Sequence, residues 1–201
     1  RKPFVKLSGL GTRINTPQTR DLISRLNLAA ITVLNNKNDV LPLHPDLKEA
    51  AILNVGKPEE IEPFDRKMKK YTSFARFQLR KDLPEAEQQK LRDSLAAYRR
   101  VIVTVTEQRL APYQSFFAKF APESPVIYVF YTPAKSMLQI QRAVSAAEAV
   151  VLAHASRDDV QERVADLLFG KATADGRLSA SIGGLFPTGS GVTITPHTPF
   201  H

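Results

Sequence analysis

The sequence predicts an α/β fold: a three-layer α/β/α sandwich around a doubly wound, mostly parallel sheet of about five or six strands. Strand-like and helix-like stretches alternate along the 201 residues. The stretches 101–105, 126–130 and 149–153 are nearly continuous apolar runs rich in β-branched residues, the pattern of strands covered on both faces. Between them, apolar residues recur at helical spacing, and right-handed crossovers with short connections then give one domain. A hydrophobic content of 43% suffices for one good core.

Residues 1–15 are polar, carry Ser8-Gly-Leu-Gly11 and show no apolar period, so they read as a linker. Thr16 caps a helix with Pro17 at its first position, and Leu22, Leu26, Ala30 and Val33 fall along one face. Strands are expected at 50–55, 74–79, 101–105, 126–130, 149–153 and 178–182. Helical stripes fill the gaps: Ile61, Phe64 and Met68; Leu91, Leu95 and Tyr98, after an Asp82-to-Glu85 capping box; Tyr113, Phe116, Phe117 and Phe120; Met137, Ile140, Val144 and Ala147. Val160, Val164, Leu167 and Leu168 form the last stripe, which stops at Gly170. Thr132 with Pro133, and Ser156 with Asp159, are placed to cap the last two helices. The domain thus spans 16–194, and 195–201, with two prolines, reads as an extended tail or onward linker.

Composition removes whole classes of chemistry. Cysteine is absent, so disulfides and thiolate sites are excluded. No run of about 18 apolar residues offers a membrane span. The net charge of +8 comes from scattered Lys and Arg, and its densest cluster, residues 66–70, reads as a solvated helix face and not a nucleic-acid footprint. No G-x-G-x-x-G or P-loop pattern occurs, which speaks against nucleotide binding. The four histidines lack metal-ligand spacing, and no G-x-S-x-G nucleophile elbow is present. No cofactor or metal is therefore expected. In an open parallel sheet, ligands bind where loops leave the carboxyl ends of the strands. Four such loops carry polar groups: Asn54-Val-Gly-Lys57, Thr106-Glu-Gln-Arg109, Tyr131-Thr-Pro-Ala-Lys135 and His154-Ala-Ser-Arg157. From these, Lys57, Glu107, Arg109, Tyr131, His154 and Arg157 are candidates for a substrate groove or an interdomain contact.

Two phrases carry a family resemblance. Leu168-Phe-Gly170 followed by Gly176-Arg-Leu-Ser-Ala-Ser181 resembles the "LFG…GRLP.S" ending of the second domain of glycoside hydrolase family 3, with Ser179 where that family usually has proline. Arg25 to Asn36, then Asp39-Val-Leu-Pro-Leu43, resembles the family's "A…S.vLLKN…LLPL" entry into the same domain. The resemblance favours helix as far as about Asn35, despite the β-branched Ile31-Thr-Val33, then a short extended piece at Leu41–Leu43. It implies that the linker 1–15 follows an upstream (β/α)-barrel domain, that Arg1 is not the native start, and that the nucleophilic aspartate lies in that barrel.

β-Glucosidase-like members supply an acid glutamate from a long insertion in the second domain; here the strand at 101–106 runs directly through Glu107-Gln-Arg-Leu-Ala-Pro112 into a helix. Glu107 therefore inherits no acid role. The β-N-acetylglucosaminidase-like branch, which keeps its proton-handling His-Asp pair on a barrel loop, is the better match. The implied reading is an accessory second domain of a retaining enzyme acting on amino-sugar glycosides. It would contribute no catalytic residue, belong to a periplasmic or secreted bacterial parent, and have a possible downstream domain, since Gly184 to Gly191 resembles members followed by a serine-hydrolase-like module. Two alternatives stand beside it: a carbohydrate-binding module using Arg109 and Arg157, and a free-standing flavodoxin-like regulatory domain.

Overall fold

A computed structural model describes residues 16–194 and 196; the linker expected over 1–15 and nearly all of the tail expected over 195–201 lie outside them. Helix α1 (Pro17–Ala29) starts as its sequence dictates, with the Thr16 hydroxyl accepting from the Thr19 N–H at 3.1 Å and proline in the first turn. It ends at Ala29, six residues short of the expected boundary. Thr32–Asn36 is instead strand β1, because the β-branched run fits a pleated surface better than a helical turn and finds an open sheet edge.

The remaining elements alternate: β2 (Ala50–Val55), α2 (Glu62–Met68), β3 (Phe74–Leu79), α3 (Glu85–Ala96), β4 (Arg100–Val105), α4 (Gln114–Ala118), β5 (Val126–Phe130), α5 (Gln141–Ser145), β6 (Ala149–Leu152) and α6 (Asp158–Leu168). Short 3₁₀ turns lead into α2, α4 and α5. The six strands lie in the order β1-β6-β5-β4-β2-β3; all neighbours are parallel except β1, which runs antiparallel to β6 with a bulge between Val33 and Asn35. The expected strand at 178–182 is not one. With the β6 edge already taken by β1, that stretch has no ladder to join and makes only an isolated bridge, Ile182 to Phe186.

Period-two alternation sorts the strand residues between two cores. Val101, Val103, Val105, Tyr128, Phe130, Val150 and Leu152 face α3, α4 and α5, whose Leu95, Phe116, Phe117 and Val144 are buried against them. Ile102, Ile127, Val129 and Val151 face α2 and α6, meeting Phe64, Met68, Val164 and Leu168. All four expected residues of the α6 stripe are buried, and the chain leaves that helix through Gly170 at φ +72°. Helix α1 differs. None of its residues is buried, and Leu22 and Leu26, expected to face inward, are 50% and 62% exposed, while Leu28 packs on the core. The expected side-chain caps of the later elements are also absent: Pro84, Pro133 and Arg157 occupy the N-cap positions of α3, the 3₁₀ turn before α5, and α6, with no side-chain capping bond.

Candidate functional site

From β2 the chain moves outward to β3, returns to β4 on the other side of β2, and continues through β5 and β6. The strand order therefore reverses between β2 and β4, the switch point at whose carboxyl end doubly wound sheets usually hold ligands. Here that crevice is closed. Gly56, at φ +140°, lets the Thr106 hydroxyl come so near that a Cβ at position 56 would lie 1.9 Å from it. Thr106 donates to Glu60 Oε1 at 3.1 Å, and the same oxygen accepts the Lys57 N–H at 3.1 Å. Asn54 is fully buried beneath, accepting from Thr104 at 3.0 Å.

Four of the candidate side chains flank or underlie this closed end. Lys57 is exposed on the β2 loop, and its backbone is held by Glu60. Glu107 is half-buried and turns back on its own loop, accepting the Arg109 N–H at 3.1 Å; Arg109 itself is exposed. Gln139 ties that loop to the 3₁₀ turn of 134–140 through Leu110 N–H and the Gln108 carbonyl, at 2.7 and 3.0 Å. Tyr131 points into the core: it is 3% exposed, its ring meets Phe64 edge-on at 6.1 Å, and burial, with Asp65 nearby, drives its phenol well above the usual range. Arg157 is committed to Asp159, at 3.1 Å from Nε. Asp159 also accepts from Ser24 of α1, and burial, which raises its pKa, is outweighed by these donors, so its carboxyl sits below the ordinary value.

An open groove of about 560 Å³ lies further along the same edge, bounded by the 3₁₀ turn after β5, the turn after β6, the approach to β1, and residues 176–182. Of the candidates, His154 lines it. Its φ is +67°, and the Ala155 N–H donates to the Ala153 carbonyl at 2.8 Å, closing a γ-turn of the strained, left-handed-φ kind around His154. Although the residue is largely open to solvent, enough of the ring is enclosed for burial to lower its pKa, against a hydrogen bond to the Ala30 backbone that acts the other way.

Lys135, Arg177, Ser179 and Ser181 also line this groove. In the sequence Lys135 stands only at the end of a loop, Arg177 falls just before the expected strand at 178–182, and Ser179 and Ser181 fall within it. The available signal was the alternation: Leu178 and Ile182 are buried anchors, while Ser179 and Ser181 stay exposed.

A retaining glycosidase requires two carboxyls about 5 to 5.5 Å apart across the scissile bond. The groove has no Asp or Glu among its fourteen lining residues. Glu60 and Glu107 are spent on backbone N–H groups and on Thr106. No cluster of three or more His, Cys, Asp or Glu able to hold a metal occurs among the described residues, and no helix there is long and apolar enough to cross a membrane.

No family model matches the chain, and neither does any curated protein. Solved structures do match it in fold. One is a fungal multi-domain GH3 β-N-acetylglucosaminidase with a GCN5-related glucosamine N-acetyltransferase region, at 18% identity and TM-score 0.64 over 87% of this chain and 20% of that one. A β-glucosidase from Listeria innocua in complex with isofagomine matches at 14% identity and TM-score 0.59, over 84% and 28%. The β-glucoside phosphorylase BglX matches at 16% identity and TM-score 0.57, over 80% and 31%. The chain thus spans a fifth to a third of the length of these proteins.

Proposed function

We propose that the chain is the accessory second domain of a glycoside hydrolase family 3 enzyme of the β-N-acetylglucosaminidase type, and that it contributes no catalytic group. The observation that carries this reading is a pairing: a fold like that of one portion of larger glycoside-processing proteins, with a carboxyl edge where no carboxylate faces the groove. The two sequence phrases at 25–43 and 168–181 support the same family, and the short connection through Glu107 supports this branch over the β-glucosidase-like one.

The partner is then an upstream barrel in the same polypeptide, with a possible module downstream, in a periplasmic or secreted bacterial enzyme. The barrel would carry the aspartate that attacks the anomeric carbon of an amino-sugar glycoside. A glycosyl-enzyme intermediate would form and be hydrolysed there, without metal or organic cofactor. This chain would brace the barrel and border its substrate groove.

Incubating the 201-residue chain with an aryl N-acetylglucosaminide should give no turnover above buffer; saturable hydrolysis would contradict the proposal. The coding sequence upstream of Arg1 should specify several hundred residues of alternating strands and helices with aspartates at strand ends. A stop codon directly before position 1 favours the free-standing regulator instead.

A further inference from the structure

We propose that the groove between the carboxyl ends of β5 and β6 and residues 176–182 is a binding site for a carbohydrate bearing a carboxylate. The inference concerns this chain alone and does not depend on what reaction a parent protein performs.

Charge is the first ground. Lys135 and Arg177 line the groove, and neither appears in an ion pair among the described residues. Arg177 is positioned without being neutralised: it donates to the Asp175 and Gly176 carbonyls at 3.0 and 2.8 Å and to the Thr193 hydroxyl at 3.0 Å, none of which carries net charge. With no acidic residue in the lining, the field of one sign is focused into the cleft and favours an anion.

Shape and lining are the second ground. The volume lies within the range of small-molecule sites. Pro133, Ala134 and Ala180 offer C–H surface, and Ser179 and Ser181 offer hydroxyls, a combination suited to a sugar's apolar face and its ring hydroxyls. A bare inorganic anion would use the cations and leave the rest unpartnered.

His154 is the third ground. A non-glycine residue at the centre of such a γ-turn is strained, and the fold holds it there at the mouth of the groove. The ring lines the groove, where a neutral imidazole nitrogen can accept a hydrogen bond from a sugar hydroxyl.

The test titrates the 201-residue chain with glucuronate, glucose and inorganic phosphate at low ionic strength, following heat and the His154 imidazole resonances. Glucuronate should bind saturably at millimolar concentration, about tenfold more tightly than glucose or phosphate, and should shift the His154 resonances. Lys135→Gln should weaken it about threefold to fivefold, and added salt should weaken it further. Arg177→Gln should act more strongly, but that side chain also ties down its own loop. Lys135→Gln, with no such contacts, therefore decides. Absence of saturable binding, glucose binding as tightly as glucuronate, or insensitivity to Lys135→Gln would each overturn the proposal. Phosphate matching glucuronate would reduce the groove to a simple anion site and overturn it equally.

Discussion

Two places on one sheet edge show how differently loops of similar length can be used. Between β2 and β4 the loops close on each other: a glycine without a Cβ admits a threonine hydroxyl, a glutamate bonds both loops, and the usual ligand crevice is filled. Between β5 and β6 the loops stay apart, and the chain returning after α6 crosses in front of them as 176–182, anchored by Leu178 and Ile182. What separates the two is side-chain bulk and returning backbone. Topology alone would have favoured the first place, while the packed side chains leave room at the second.

Gly56→Ala attacks the closed crevice directly and should have the largest effect. The new methyl would meet Thr106 Oγ1 at 1.9 Å in a backbone conformation that only glycine adopts easily, so a loss of about 3 kcal/mol in denaturant unfolding is expected. Adding Thr106→Ala should recover about 1 kcal/mol, because the clash goes and the strained backbone remains. Full stability in the single variant would mean that the crevice is loosely filled.

On the open side, Gly176→Ala would set a Cβ 2.6 Å from the Ile31 carbonyl and 2.5 Å from the Thr32 hydroxyl. It should push 176–182 off β1 at a cost of about 2 kcal/mol and change the groove's shape. Thr106→Ala alone should cost about 1 kcal/mol, the loss of one hydrogen bond to a carboxylate. His154→Gly should raise stability by about 0.5 kcal/mol or leave it unchanged, since glycine adopts the left-handed turn without strain. A clear loss there would show that the ring itself holds the loops in place.

The smallest effect is a pH dependence. The folded pKa of His154 lies below its unfolded value of about 6.5, so the folded state binds fewer protons. Its contribution to stability is complete above that value and is lost as pH falls through the depressed folded pKa. Asp159, also depressed, contributes in the same direction at lower pH, complete above its unfolded value and lost on further acidification. Replacing His154 by Gln should remove the upper part of this acid sensitivity in urea titrations and leave the lower part to Asp159.

The sheet and its two cores were legible because the strands at 101–105, 126–130 and 149–153 read as apolar runs covered on both faces, and the helices as stripes such as Val160, Val164, Leu167 and Leu168. The errors in the sheet sit at the sixth strand and share one cause. Ile31-Thr32-Val33 favours a strand locally, yet a helix was expected there, and Leu178 to Ile182 then stood in as the missing strand. Which of two apolar stretches takes the β6 edge is a tertiary competition that periodicity cannot decide. The same exchange hid much of the groove, since Ser179 and Ser181 lie in the misread stretch and Arg177 immediately precedes it. His154 was legible because it ends a strand, although its strained turn was not.

On the proposed function, this chain lends no reacting group to the enzyme it belongs to. The most direct measurement is the rate and pH profile of aryl N-acetylglucosaminide hydrolysis by the whole protein carrying Glu60→Gln together with Glu107→Gln. The expected kcat is within about threefold of the parent, with both limbs of the pH profile kept. A fall of about a hundredfold or more with loss of the acid limb would place a catalytic carboxyl in this chain and overturn the proposed accessory role.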